Sequence, residues 1–171
     1  MELNSSKCKV ISFSRKIKVL EHAYCIESTA LARVSLITDL GVLFDNELRF
    51  TYHIESVVAK AFKMTGFMMR QCWEFRNVET LKNIYFALVR SHLEYCCVVW
   101  SPIYKVHIKR IERVQSKFVN FLLYKLNLDR FLIDYVDRLK MLGLDSLERR
   151  RVRLTLLFGQ KLLNDFNNCS S

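Results

Sequence analysis

The only proline of the chain, Pro102, separates two long amphipathic stretches, and that arrangement restricts the fold to one built on paired helices. Before it, Leu81, Ile84, Tyr85, Leu88, Val89, Tyr95, Cys96 and Val99 recur at steps of three and four, a spacing that gathers side chains on one helix face. After it, Ile108, Ile111, Val114, Phe118 and Leu122 repeat the pattern. The polar side of this second stretch carries Lys105, Lys109, Arg113 and Lys117 at four-residue intervals, with Arg110 beside them. The spacing predicts a hydrophobic helical hairpin that shows a basic ladder to its surroundings.

Upstream, the pattern is β-like. Val10, Ile11 and Phe13 predict a first strand and Leu20–Ile26 a second. A third β-like segment runs from Ala30 to Asp45, with Gly41 expected at a bulge or a close backbone approach and Asp45-Asn46 at a turn. Three or four short antiparallel strands over residues 1–48 are too few to bury a core unaided. From Thr51 to Trp73, Ile54, Val57, Val58, Ala61, Thr65, Met68 and Cys72 share a helix face, with Gly66 a weak point. Past the hairpin, a helix is predicted around Phe131–Leu139, closed by Gly143. Asp145 and Glu148 stand in capping-box spacing at the head of a last helix. Its first turns carry Arg149, Arg150, Arg151 and Arg153, which oppose the helix dipole and so serve something other than helix stability. Four glycines in 171 residues leave little turn-forming material. The fold class that follows is α+β: a short antiparallel β-sheet followed by a bundle of four to five helices over 49–171.

The formal charge is +10, from 27 Lys plus Arg against 17 Asp plus Glu, and it favours a polyanionic partner, nucleic acid before an anionic membrane. The six cysteines form no CxxC pair and no Cys/His zinc spacing, and are read as reduced thiols, mostly small core residues. The polar N-terminus and charge-broken apolar stretches predict an intracellular protein of the nucleus or cytoplasm, without a membrane partner.

Six phrases, in order along the chain, resemble the part of non-LTR (LINE-type) retrotransposon reverse transcriptases that follows the catalytic palm motif. They are LNSSKCKVISF at 3–13, DLGVLFDNELRFTYHI at 39–54, KAFKMTGFMMR at 60–70, LVRSHLEYCCVVWSP at 88–102, IERVQSKF at 111–118 and RLKMLGLDSLERRR at 138–151. The resemblance implies the end of a palm with a primer-grip-like hairpin at 1–48, matched at Leu40, Gly41 and Val42, and a thumb-like helical domain at 49–171. It places Lys7 near an incoming nucleotide; Cys8 departs from the hydroxyl residue more usual there.

Phosphoryl transfer by a polymerase needs two metal ions held by carboxylates. No two aspartates are adjacent here and no DxD occurs; Asp39 and Asp45, six apart, suit turn and cap chemistry. The chain is accordingly read as lacking catalytic residues and metal ligands and as inactive alone, magnesium belonging only to an intact parent enzyme. Lys7, without a palm beside it, is given no catalytic role. His53 suits capping or packing at its helix start better than ligation, and Tyr85, Tyr95 and Trp100 are read as core residues. Two cationic sets suit the phosphates of an RNA–DNA hybrid or duplex, bound weakly and without sequence preference: Lys105, Lys109, Arg110, Arg113 and Lys117, then Arg149, Arg150, Arg151 and Arg153. Glu112 and Glu148 partly neutralise them. The expected function is that of a reverse transcriptase fragment contacting template–primer, its partners being nucleic acid and the missing palm and fingers. The alternatives are a helical protein-interaction module and the functionless relic of a decayed element.

Overall fold

The computed structural model describes residues 8–16, 22–26 and 29–168, the side chains of 166–168 excepted. Lys7 and the predicted strand residues 20 and 21 lie outside the described residues. The chain divides into two compact units, residues 1–53 and 54–171.

Among the described residues the first unit holds six short strands: β1 (Lys9–Val10), β2 (Cys25–Ile26), β3 (Thr29–Ala30), β4 (Ala32–Arg33), β5 (Leu36–Asp39) and β6 (Val42–Asp45). β2–β3 and β5–β6 pair antiparallel as expected, but β1 pairs β4 in parallel, Lys9 opposite Ala32. The predicted third segment is therefore two elements and a hairpin. Gly41 is not at a bulge: with Leu40 it forms the two-residue turn between β5 and β6, at φ of 45° for Leu40 and 82° for Gly41. Positive φ at both central residues gives the turn the twist of the flanking strands, which only a glycine adopts without strain. Asp45 ends the hairpin. Its buried carboxylate accepts hydrogen bonds from the N–H groups of Glu47 at 3.1 Å, Arg49 at 3.0 Å and Phe50 at 2.6 Å, so it holds the chain's entry into the first helix. Burial pushes this carboxyl up, but the bonds from Arg49, Phe50 and Glu47 outweigh it and leave the pKa below the ordinary value. His53 does pack as expected: it is buried, and its Nδ1 accepts from the Leu43 N–H at 3.2 Å.

The helices are α1 (Thr51–Gln71), α2 (Val78–Tyr85), α3 (Ser91–Glu94), α4 (Cys97–Trp100), α5 (Lys105–Lys125), α6 (Tyr135–Met141) and α7 (Leu147–Asn168). α1 and α5 follow the predicted periodicity; Ile54, Ala61, Met68, Ile111, Val114, Phe118 and Leu122 are all buried. The core of this unit centres on Tyr85 and Phe118, whose rings stack 4.0 Å apart at 4°. The stretch before Pro102 is where the predicted single helix fails. One turn of π-helix at Phe86–Arg90 joins α2 to α3 and inserts an extra residue into the helical register. The chain then breaks at Cys96, in the left-handed conformation at φ of 49°. The indole N–H of Trp100 takes the Tyr95 carbonyl freed at this break, at 2.8 Å. Leu93, Cys97 and Trp100 consequently face the core, while Tyr95 and Val99, predicted inside, are exposed. Pro102 forces Ser101 into an extended conformation, ψ of 123°, and α4 ends there.

α6 starts later than predicted, because Asp134 caps it through the Val136 N–H at 3.2 Å; Phe131 and Leu132 lie outside it, exposed. Its end is as expected. Gly143, at φ of 64°, donates to the Lys140 carbonyl at 3.0 Å and Leu144 to that of Leu139 at 2.8 Å, the paired bonds of a Schellman motif. The capping box predicted for α7 does not form, and the helix is capped one residue later, at Ser146. Ser146 Oγ accepts from the Arg149 N–H at 3.2 Å, and Asp145 instead lies 3.8 Å from the Arg149 guanidinium. α7 packs on α4 and α5, and its buried residues among those described are Leu147 and Arg151. Beyond Arg153, Leu156, Leu157, Phe158, Leu162 and Leu163 are all exposed. No described helix is long and apolar enough to cross a membrane.

Candidate nucleic-acid interface

α1 and α5 lie side by side and leave a groove between them. At one end Glu55, Val58, Ala59 and Phe62 of α1 face Arg110 and Arg113 of α5 around about 380 Å³. At the other, Met69 and Trp73 face Arg113, Lys117, Asn120 and Tyr124, with Arg130 from the following loop, around about 440 Å³. Arg113 lines both. The groove thus carries three cations that form no ion pair among the described residues, Arg113, Lys117 and Arg130. Arg110 is different: its Nη1 donates to Glu55 Oε1 at 2.8 Å, so its charge is shared.

The five cations of the α5 ladder do not form one row. At about 100° per residue, steps of four drift by about 40°, so Lys105 and Lys109 turn progressively away from the face of Arg113 and Lys117. All four are exposed. The structure brings Arg110, Arg113 and Lys117 together at the groove and leaves Lys105 and Lys109 off it.

The second cationic set is divided more sharply. Arg149 and Arg153 are exposed, Arg149 with 82% of its side chain accessible. Arg150 reaches across to α3, where its Nε and Nη2 donate to the two carboxylate oxygens of Glu94, the second at 3.1 Å. Hydrogen bonding to Glu94 holds the Arg150 pKa above its ordinary value. Arg151 is 2% exposed, and among the described residues its two Nη atoms have no hydrogen-bond partner. Burial pulls its pKa down against the attraction of Glu112. Arg150 thus ties α7 to α3.

Glu112 is also turned inward. Its carboxylate accepts from the Tyr135 hydroxyl at 2.6 Å and the Leu147 N–H at 3.0 Å. Next to it the buried Gln115 donates to the Asp145 carbonyl at 2.9 Å. Burial, then the bond to Glu112, raises the Tyr135 pKa far above its ordinary value.

The aromatic lining of the groove was not legible from residue spacing. Trp73 and Tyr124, each more than half exposed, stack at 5.5 Å and 30°, and the Lys125 ammonium sits 4.5 Å over the Trp73 ring while donating to the Trp73 carbonyl. Lys117 lies 5.9 Å from the centre of the Phe62 ring. The only signal was their position at matching ends of two long helices. Cations beside an aromatic platform can bind phosphates and stack on a terminal or unpaired base.

Among the described residues no three His, Cys, Asp or Glu side chains are placed to hold a metal ion. Asp45 spends both carboxylate oxygens on backbone N–H groups, and Asp39 ends β5 opposite Val42. These residues do not fit the magnesium site of a polymerase.

The chain is similar to two curated proteins. An uncharacterized protein of Caenorhabditis elegans is 29% identical over 116 residues, covering 68% of this chain and 57% of that protein. A probable RNA-directed DNA polymerase from the transposon X-element of Drosophila melanogaster is 28% identical over 120 residues, 67% of this chain and 13% of that protein. The chain therefore spans little more than half of the first and a small part of the second. No family model matches, and no solved structure does. At this level the chain is distantly similar to a segment of a transposon reverse transcriptase.

Proposed function

We propose that this chain corresponds to the part of a retrotransposon reverse transcriptase beyond its catalytic aspartates, from the end of the palm through a primer-grip-like hairpin to a thumb, and that it holds template–primer duplex by its phosphates. The observation that carries this reading is the α1/α5 groove, where Arg113, Lys117 and Arg130 form no ion pair among the described residues and stand beside Trp73 and Tyr124. The similarity to the X-element polymerase supports it. So does the hairpin at Leu40, Gly41 and Val42, which places Leu40 at its tip, 82% exposed. Three phosphate contacts give weak, sequence-independent binding. The chain alone performs no polymerisation, and the two basic sets contribute unequally, since Lys105, Lys109, Arg149 and Arg153 do not line the groove and are not among the three contacts.

The test is fluorescence anisotropy of a labelled RNA–DNA hybrid hairpin titrated with the purified chain at two salt concentrations. For three phosphates, a fourfold rise in salt should weaken binding about 40-fold. Absence of binding at the lower salt by a folded, monodisperse sample contradicts the reading.

A second reading, a protein-interaction module, has an observation of its own. The far half of α7 exposes Leu156, Leu157 and Leu163, each more than half accessible. Such a surface suits burial against another part of a longer polymerase. Association through it should persist at salt concentrations that abolish phosphate contact.

A further inference from the structure

Helix α1 has three faces about a third of a turn apart. One, with Ile54, Ala61, Thr65 and Met68, is in the core. A second, with Val58, Phe62 and Met69, lines the groove with α5. The third carries Lys60, Lys63, Phe67 and Arg70 at steps of three, four and three, and belongs neither to the core nor to the groove.

This third face is not a flat solvated stripe. With Met64 below and His92 from α3 opposite, it lines a concave cavity of about 470 Å³, within the range of small-ligand sites. Phe67 is 47% exposed there, where an ordinary solvated helix face would carry a polar residue. Arg70 is folded back along the helix: a Cβ added at Gly66 would meet its Nη1 at 3.6 Å. Lys60, Lys63 and Arg70 are exposed and form no ion pair among the described residues.

An apolar floor with one accessible aromatic ring and a rim of three cations calls for a ligand that is flat and apolar at one point and anionic on either side of it. From Lys60 to Arg70 the rim extends about 15 Å, enough to meet more than one phosphate of a strand. We propose that this cavity binds single-stranded nucleic acid, one unpaired base stacking on Phe67 while flanking phosphates lie on Lys60, Lys63 and Arg70. The bases of a duplex interior already stack on one another and offer Phe67 no face. Concavity favours a strand over an anionic membrane, which would meet a convex amphipathic face. The site shares its general partner with the reading above but none of that reading's residues, so either can fail alone.

The experiment titrates the whole chain into labelled oligo(dT) and oligo(U) of about twelve nucleotides, each with a 2-aminopurine at its centre, and in parallel into the hybrid hairpin. Phe67→Ala should weaken oligonucleotide binding at least about fivefold and abolish the 2-aminopurine quenching, with hairpin binding unchanged and Phe67→Tyr restoring both signals. Loss on oligo(U) alone or oligo(dT) alone supports the site and assigns its strand type. Lys60→Gln/Lys63→Gln, at exposed positions that folding does not need, should weaken oligonucleotide binding and flatten its salt dependence. Oligonucleotide binding unchanged in both variants overturns the proposal, as does binding lost only with Arg113→Gln/Lys117→Gln. So does a wild-type chain that ignores the oligonucleotides yet binds phosphatidylserine vesicles through Phe67.

Discussion

Glu112, in the middle of α5, accepts the backbone N–H of Leu147 at 3.0 Å and thereby caps the start of α7 from another helix. A carboxylate in this position satisfies a donor that has no intrahelical partner and meets the positive end of the helix dipole. The same carboxylate holds Tyr135, so one side chain fixes α5, α6 and α7 together. Glu112→Ala should cost about 2 kcal/mol in urea unfolding, the usual worth of hydrogen bonds to a charged group, and Glu112→Gln less. A loss below about 0.5 kcal/mol for the alanine variant would show that water replaces both bonds.

Asp45 predicts a pH dependence. Its pKa is lowered in the folded chain, so its contribution to stability is present above the unfolded value, near 3.8. It is lost as pH falls through the lower folded value. Asp45→Asn should therefore destabilise the wild-type fold at neutral pH, by about 1–2 kcal/mol as for a lost cap, and the difference should shrink towards the acid end. Thermal melts of both proteins between neutral pH and about pH 3 measure it. A gap that widens on acidification would contradict the assignment.

Arg151 makes the opposite kind of prediction. Its guanidinium is buried with both Nη atoms unpartnered among the described residues, so desolvation is not repaid by hydrogen bonds. Arg151→Met keeps the stem's packing and removes the charge, and should leave stability unchanged or raise it by about 1 kcal/mol. Arg150→Met should instead destabilise, because it strands Glu94. Chemical denaturation of the pair separates the two roles.

The glycines of the two units should respond with opposite signs. Gly159 lies inside α7, where an added Cβ meets nothing within 4 Å, and Gly159→Ala should stabilise the fold by about 0.5–1 kcal/mol. Gly41, at φ of 82° in the β5–β6 turn, should lose about 1 kcal/mol on the same change. Equal effects at both sites, measured by thermal unfolding, would mean that the turn is not formed in solution.

The long helices were legible because their signal is local and repeated. Ile111, Val114, Phe118 and Leu122 report the inner face of α5 by spacing alone, and Gly143 the end of α6. The stretch before Pro102 was not. A cysteine carries no signal for the left-handed conformation that Cys96 adopts, and the break is held by Trp100, a contact made only once the chain has folded. The π turn then shifts every later residue by one, which moves Tyr95 out and Leu93 in. Charge runs misled in a related way. Arg150 and Glu112 look like solvated residues in sequence, yet their partners, Glu94 and Leu147, come from other helices. The groove's cations were visible as a ladder; its aromatic wall required α1 and α5 to be laid side by side.

The central claim is that the α1/α5 groove holds nucleic acid by its phosphates. The most direct measurement is the slope of log Kd against log salt concentration for an RNA–DNA hybrid hairpin, in wild type and in Arg113→Gln/Lys117→Gln. Each phosphate contact contributes about 0.9 to that slope, so removing two cations should flatten it by about 2 and weaken binding at low salt. A slope and affinity unchanged in the double variant, with the protein still folded, would contradict the claim and place the contact elsewhere.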